Sequence, residues 1–296
     1  MMFARLSRGW SMAKASFAVL RQYPKLAILP AMSGAIFLVI IGAILATLMP
    51  QLGGPTSIWR HLGNAKSQSF LFYVSAFGVF YVMTAVMIFF NVALIQCALR
   101  AHSGEKPSIR AGLASAVGLL PQILGWALVT TTVGIILNMI TDALQSYLGF
   151  LGRFLGGLLE VSWVVVTYFV VPVLVTEKVG PVTAVKRSTA ILRAKWGESL
   201  AGEARIGLIG GLFFLLSALV FFGGMALVLS KGATAVAGLG VLLMAIGVLS
   251  AIGVFVVVQT LSSIFQAGVY LYATTGQVPA SLDRTLVESA FKPKSA

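Results

Sequence analysis

Long apolar runs, each ending only where charges gather, set the pattern of this chain. Bounded by charged residues, the runs cover 26–59, 67–99, 111–141, 154–176 (broken once, by Glu160), 206–230 and 232–282. An apolar run of about 20 residues crosses a bilayer as a helix, the form that satisfies every backbone polar group within one segment. Six spans are therefore predicted near 26–49, 70–98, 117–140, 154–176, 206–229 and 236–260. The fold class that follows is all-α: a polytopic transmembrane bundle of six helices in three hairpins.

A shorter period appears between the runs. Phe3, Leu6, Trp10, Ala13, Phe17 and Leu20 recur at steps of three and four, with Arg5, Arg8, Lys14 and Arg21 mostly off that face. An apolar stripe with basic flanks and a tryptophan predicts a helix lying in the membrane interface. The chain is then expected to turn at Pro24 and enter the bilayer near Pro30. Pro181 opens a second such helix, whose predicted apolar face is Val182, Val185, Thr189, Leu192 and Trp196, among Lys186, Arg187, Arg193 and Lys195. Proline suits the first helical turn, where its missing N–H costs nothing.

The two amphipathic segments share an offset of 172 residues. Lys14, Ser16, Ala18, Leu20 and Arg21 match Lys186, Ser188, Ala190, Leu192 and Arg193; Leu99, Ala101, Gly104 and Pro107 match Leu271, Ala273, Gly276 and Pro279. The chain reads as a single integral membrane domain over 1–296, with repeats at 8–107 and 180–279 and a middle hairpin at 108–179. Units entering from one side would be related by an axis along the membrane normal.

Charge decides orientation. Of 21 Lys and Arg residues, 17 fall on the side of both termini and 4 on the other. The positive-inside rule then puts both termini in the cytoplasm of a bacterial or archaeal cell, the protein being multi-pass in the plasma (inner) membrane. The formal charge of +13 is thus a topology signal and an attraction to anionic lipid headgroups. Arg5, Arg8, Lys14, Arg21, Lys186, Arg187, Arg193 and Lys195 are the candidate headgroup contacts. No nucleic-acid partner is expected, because no basic groove with base-stacking groups is visible. The opening does not have the pattern of a cleaved signal peptide, so Met1 is expected in the mature chain.

Glu160 is the one ionisable residue placed inside a predicted span. Intramembrane carboxylates face a cavity or a partner, so Glu160 is a candidate ion site with Asn138 as its predicted partner. The alternative is a hydrogen-bonded carboxylate that orients two helices, which its shallow depth favours. Asn91 and Gln259, each about three turns from the basic-side ends of their spans, are candidates to line a cleft between the second and sixth spans. Amides at such positions otherwise serve as interhelical glue. Gly152/Gly156 and Gly207/Gly211 have the spacing that lets helices touch backbone to backbone, and Pro172 is predicted to kink the fourth span.

Enzyme chemistry finds no constellation. His61 and His102 fall on opposite sides of the predicted topology, Cys97 is a lone cysteine, and no P-loop or zinc-protease signature occurs. No catalytic residue, metal or cofactor is expected. The chain resembles an uncharacterised prokaryotic family of six-span membrane proteins known as a domain of unknown function. The residues that carry the likeness are Arg8-Gly9-Trp10 through Leu29-Pro30, Val171-Pro172-Val173-Leu174-Val175 through Lys186-Arg187-Ser188, and Tyr272-Ala273-Thr274-Thr275-Gly276. The resemblance implies an integral membrane protein and assigns no functional residue. Two roles fit: translocation or binding of a small solute or lipid, or a scaffold that recruits a protein partner at the cytoplasmic face. Homo-oligomers fit the glycine-rich faces.

Overall fold

The computed structural model describes residues 16–52, 70–194, 198–230 and 234–276, and no strand forms among them. Helix α1 is described over 16–22, and a single 3-10 turn, Pro24–Ala27, follows. Then come α2 (Ile28–Leu52), α3 (Phe70–His102), α4 (Ile109–Gly118), α5 (Leu120–Leu148) and α6 (Phe150–Val166). The chain continues through α7 (Val170–Glu177), α8 (Pro181–Ala194), α9 (Glu198–Leu229) and α10 (Thr234–Thr275). Six stretches are long and apolar enough to cross a membrane: Pro24–Thr47, Tyr73–His102, Leu120–Leu148, Phe150–Glu177, Ile206–Leu229 and Thr234–Thr275. This is the architecture of a multi-pass membrane protein.

Several ends differ from the charge-bounded reading. The expected break between the third and fourth spans shrinks to Gly149, whose φ of +58° suits a residue without Cβ. Asp142 and Arg153 therefore lie on helices and do not mark their ends. Helix α10 has 42 residues, about 63 Å at 1.5 Å per residue, twice the roughly 30 Å hydrocarbon core. Its far end is buried in protein: Thr260, Ser263, Ile264, Phe265, Ala267 and Tyr270 are all shielded. Hydropathy cannot distinguish burial in lipid from burial in protein, and the helix continues 15 residues past the predicted end of the span near 260.

The chain separates into two compact units, neither continuous in sequence. The first holds Met1–Pro30, Leu94–Ile109 and Ile191–Ala296; the second holds Ala31–Ala93 and Arg110–Ala190. In the first unit, α9 packs along α10, and the 3-10 turn rests on α10. Gly224, Gly240 and Gly247 make the crossing possible. A Cβ on Gly240 would lie 2.6 Å from the Gly224 carbonyl oxygen, and one on Gly247 would lie 2.7 Å from the Phe221 backbone nitrogen. The predicted pair Gly207/Gly211 has open space instead. His102, at the end of α3, places Nε2 2.8 Å from the Ile264 carbonyl on α10.

In the second unit, α5 packs along α6, whose Gly152 and Gly156 meet the Leu144 carbonyl and the Thr141 side chain as their spacing predicted. Trp126 and Trp163 stack across the same pair with centroids 6.1 Å apart. Two of the three predicted hairpins are thus packed pairs; no comparable face joins α2 to α3 among the described residues.

The predicted kink at Pro172 is a full break, one turn earlier. Proline has no N–H to offer the Tyr168 carbonyl four residues back, and its ring crowds that carbonyl. Thr167 (φ −91°, ψ 1°) and Phe169 (φ −95°, ψ 8°) accordingly leave helical geometry, separating α6 from α7. Helix α8 turns to the protein a face that only partly coincides with the stripe expected at the interface. Ala184, Ser188, Ile191 and Leu192 are buried, while Val182 is 65% exposed. Likewise α1 buries Ser16, Val19 and Leu20 and leaves Phe17 54% exposed. Phe3, Leu6, Trp10, Ala13 and Trp196 lie outside the described residues.

Candidate functional site: an apolar groove beside α9 and α10

In the first unit, α9 and α10 part on one side to leave a cavity of about 580 Å³, edged by Phe17 of α1. Helix α9 supplies Ile206, Ile209, Gly210 and Phe213, spaced at i, i+3, i+4 and i+7 so that they share one face. Helix α10 supplies Ser250, Gly253, Val254, Val257, Val258 and Leu261. At Gly210 a Cβ would collide with Val258, so the helices close together there. At Gly253 no heavy atom stands within 4 Å of a Cβ position, so the missing side chain leaves room. The size falls within the roughly 300–1,000 Å³ of small-ligand sites.

The chemistry of the lining is nearly uniform. Ser250 is its one hydroxyl, and that hydroxyl donates to the Gly247 carbonyl at 3.0 Å. No charged side chain lines the groove. Such a surface offers dispersion and desolvation to an apolar guest and no ligand to an ion.

The predicted polar residues are elsewhere. Glu160, within the span Phe150–Glu177, is exposed on the protein's surface and accepts from the Thr141 hydroxyl of α5 at 3.5 Å, a hydrogen bond between two helices. Asn138, its predicted partner, is exposed and donates to the Gly134 carbonyl of its own helix at 3.2 Å. The close seat of Gly156 on Thr141 sets the register of α5 against α6, and this brings Thr141 to Glu160. Replacing Glu160 with glutamine is expected to leave the thermal midpoint in detergent unchanged. A clear drop would show a role that this exposed position does not suggest. Asn91 and Gln259 are both half-buried and fall in different units. The Oδ1 of Asn91, the Oε1 of Gln122 and the hydroxyls of Thr130 and Thr131 are sealed and have no hydrogen-bond partner among the described residues.

Of the predicted headgroup contacts, Arg21, Lys186 and Arg193 are exposed. Arg187 is exposed too, but its Nε donates to Glu177 Oε1 at 3.0 Å. Arg5, Arg8, Lys14 and Lys195 lie outside the described residues. No group of three or more His, Cys, Asp or Glu able to hold a metal ion occurs among the described residues.

Sequence reasoning passed over the groove because it searched for polar atoms in apolar surroundings. The available signal was Gly210 and Gly253, each set among bulky apolar neighbours at helical spacing.

A model of a family of unknown function, DUF6159, matches residues 70–280. The chain belongs to that family. The matched region runs from the start of α3 to beyond α10, so both walls of the groove lie inside it, whereas Phe17 and α2 precede it. No curated protein and no solved structure matches the chain.

Proposed function

We propose that this membrane protein binds a lipid of the cytoplasmic leaflet, holding an acyl chain in the groove between α9 and α10. The observation that carries the reading is the groove itself: about 580 Å³ of apolar space whose one hydroxyl is already bonded. Its depth fits. Ile206 follows the connection 178–205, which holds six Lys and Arg against two Glu, and Ser250 lies about 24 Å along α10 from the opposite end. The groove thus opens within the leaflet next to the basic-rich side, which the positive-inside rule makes cytoplasmic.

A headgroup has a partner in reach of the same face. Arg21 is exposed one helical turn from Phe17, and residues four apart on a helix are neighbours. Each basic residue near an anionic surface contributes about 1 kcal/mol of attraction. A path for a polar solute finds less support, since Asn91 and Gln259 do not line this groove.

The test is retention of lipid by the protein extracted in mild detergent, read by native mass spectrometry. One phospholipid per chain is expected. Gly253→Leu fills the groove without striking backbone and should reduce retention roughly tenfold, the equivalent of about 1.4 kcal/mol. Gly238→Leu, also in open space but outside the groove, should not. Equal retention in wild type and Gly253→Leu would reject the groove as the site.

A second role, recruitment of a protein partner, is favoured by one observation. Helix α8 turns Val182 and Lys186 outward together, four residues apart.

A further inference from the structure

The break between α6 and α7 leaves a specific backbone debt. Tyr168 N–H bonds the Val165 carbonyl at 3.2 Å and Val170 N–H bonds the Thr167 carbonyl at 3.0 Å, each one residue short of the α-helical partner. The donor skipped by this slip is Phe169 N–H, and the acceptors skipped are the Val164 and Val166 carbonyls. The Thr167 hydroxyl reaches the Val164 carbonyl at 3.3 Å, and Ser188 of α8 meets Phe169 N–H and the Val166 carbonyl. Its Oγ accepts from Phe169 N–H at 3.0 Å and donates to the Val166 carbonyl at 2.7 Å. A hydroxyl can do this because it donates one hydrogen bond while accepting another.

The other end of α7 is held to the same helix. Arg187, next to Ser188, pairs with Glu177 at 3.0 Å. Lys178 then ends α7 in the left-handed region (φ 52°), and its carbonyl accepts from Gln122 Nε2 at 3.4 Å. Eight residues of the fourth span are therefore a separate segment, fastened to α8 at both ends. Thr167 adds to the bend, its hydroxyl donating to the Trp163 carbonyl at 2.8 Å.

We infer that residues 167–169 are a hinge in the fourth span and that α8 is its latch, with Ser188 as the catch. While α8 is seated, the bent path costs little, because the freed donor and acceptor are both satisfied. If α8 lifts, Phe169 N–H and the Val166 carbonyl lose their partners in apolar surroundings. An unpaired backbone group there is costly, and the helix straightens toward its ordinary ladder. Binding at the outward face of α8, which carries Lys186 and Arg193, is in this way transmitted into the membrane. The inference rests on residues distinct from the groove and holds whatever the groove binds.

The experiment is a spin-label distance measurement across the hinge. Labels go on Val161 and Thr176, both exposed, after Cys97→Ala removes the one native cysteine. The wild type should give one narrow distance, and Ser188→Ala a longer, broader distribution that Ser188→Thr returns toward wild type. Pro172→Ala supplies the N–H that the Tyr168 carbonyl lacks, so it should give the straight, long distance by itself. Adding Ser188→Ala to Pro172→Ala should then change nothing further. An unaltered distance in Ser188→Ala, or equal broadening in both backgrounds, would overturn the latch. If Ser188→Ala alone fails to fold, the double variant decides: it should fold, and its failure would reduce Ser188 to a packing residue.

Discussion

Gly240→Leu is expected to destabilise the α9–α10 hairpin by about 3 kcal/mol, near the top of the usual range for overpacked interiors. The added Cβ would stand 2.6 Å from the Gly224 carbonyl oxygen and 3.0 Å from the Val228 backbone nitrogen. Backbone atoms cannot rotate away as side chains do, so the two helices must separate along the crossing. That separation would also open the contacts at Gly224 and Gly247. Thermal unfolding in mild detergent measures the effect, with Gly238→Leu as a matched control. Gly238 has nothing within 4 Å of its Cβ position, so leucine there should be neutral or mildly stabilising through helix propensity. Similar midpoints for the two variants would mean that the hairpin does not cross at these glycines.

His102→Ala should cost nearly as much, about 3 kcal/mol, by a different route. The imidazole is 1% exposed, and its Nε2 lies 2.8 Å from the Ile264 carbonyl, fastening the end of α3 to α10. Truncation leaves a cavity and removes a buried hydrogen bond together. His102→Phe separates the two contributions, since it restores most of the volume without the donor. The Ile264 carbonyl also serves the ladder of its own helix, so losing the histidine donor alone should cost only about 1 kcal/mol. Denaturation of both variants under the same conditions gives the comparison. Phenylalanine as damaging as alanine would assign the stability to the hydrogen bond and not to packing.

How far the sequence could be read depended on which property carried the information. The transfer of apolar side chains into hydrocarbon adds up along the chain, so six spans were legible without any neighbour. Pro172 announced a disruption because the missing N–H is a property of the residue itself. Gly152 and Gly156 were read correctly as a contact face, yet Gly207 and Gly211 were not. A glycine pair marks a face that can approach another helix, and the partner's position decides whether that face is used.

The face that α8 turns to the protein was not legible either. Its most apolar stripe, from Val182 through Val185 and Thr189, was expected at the membrane interface, and nothing in that stripe marked Ser188. The helix buries Ala184 and Ser188, because the break in the fourth span needs a hydroxyl inside. Glu160 drew attention as the sole charge in a predicted span. The residue it meets, Thr141, was not legible, because that depended on where α5 and α6 ended, and both extend past the charges that seemed to bound them.

The amino-acid order alone settled that this is an all-helical membrane protein with six candidate spans, since hydropathy acts residue by residue. Only the folded chain decided which faces meet: the glycine crossing of α9 and α10, the groove at Gly253, and the serine that closes a gap 19 residues before it. Those features require atoms far apart in the chain to lie within a few ångströms, and helical periodicity fixes only the spacing of positions on each face, never the rotation of one helix against the next.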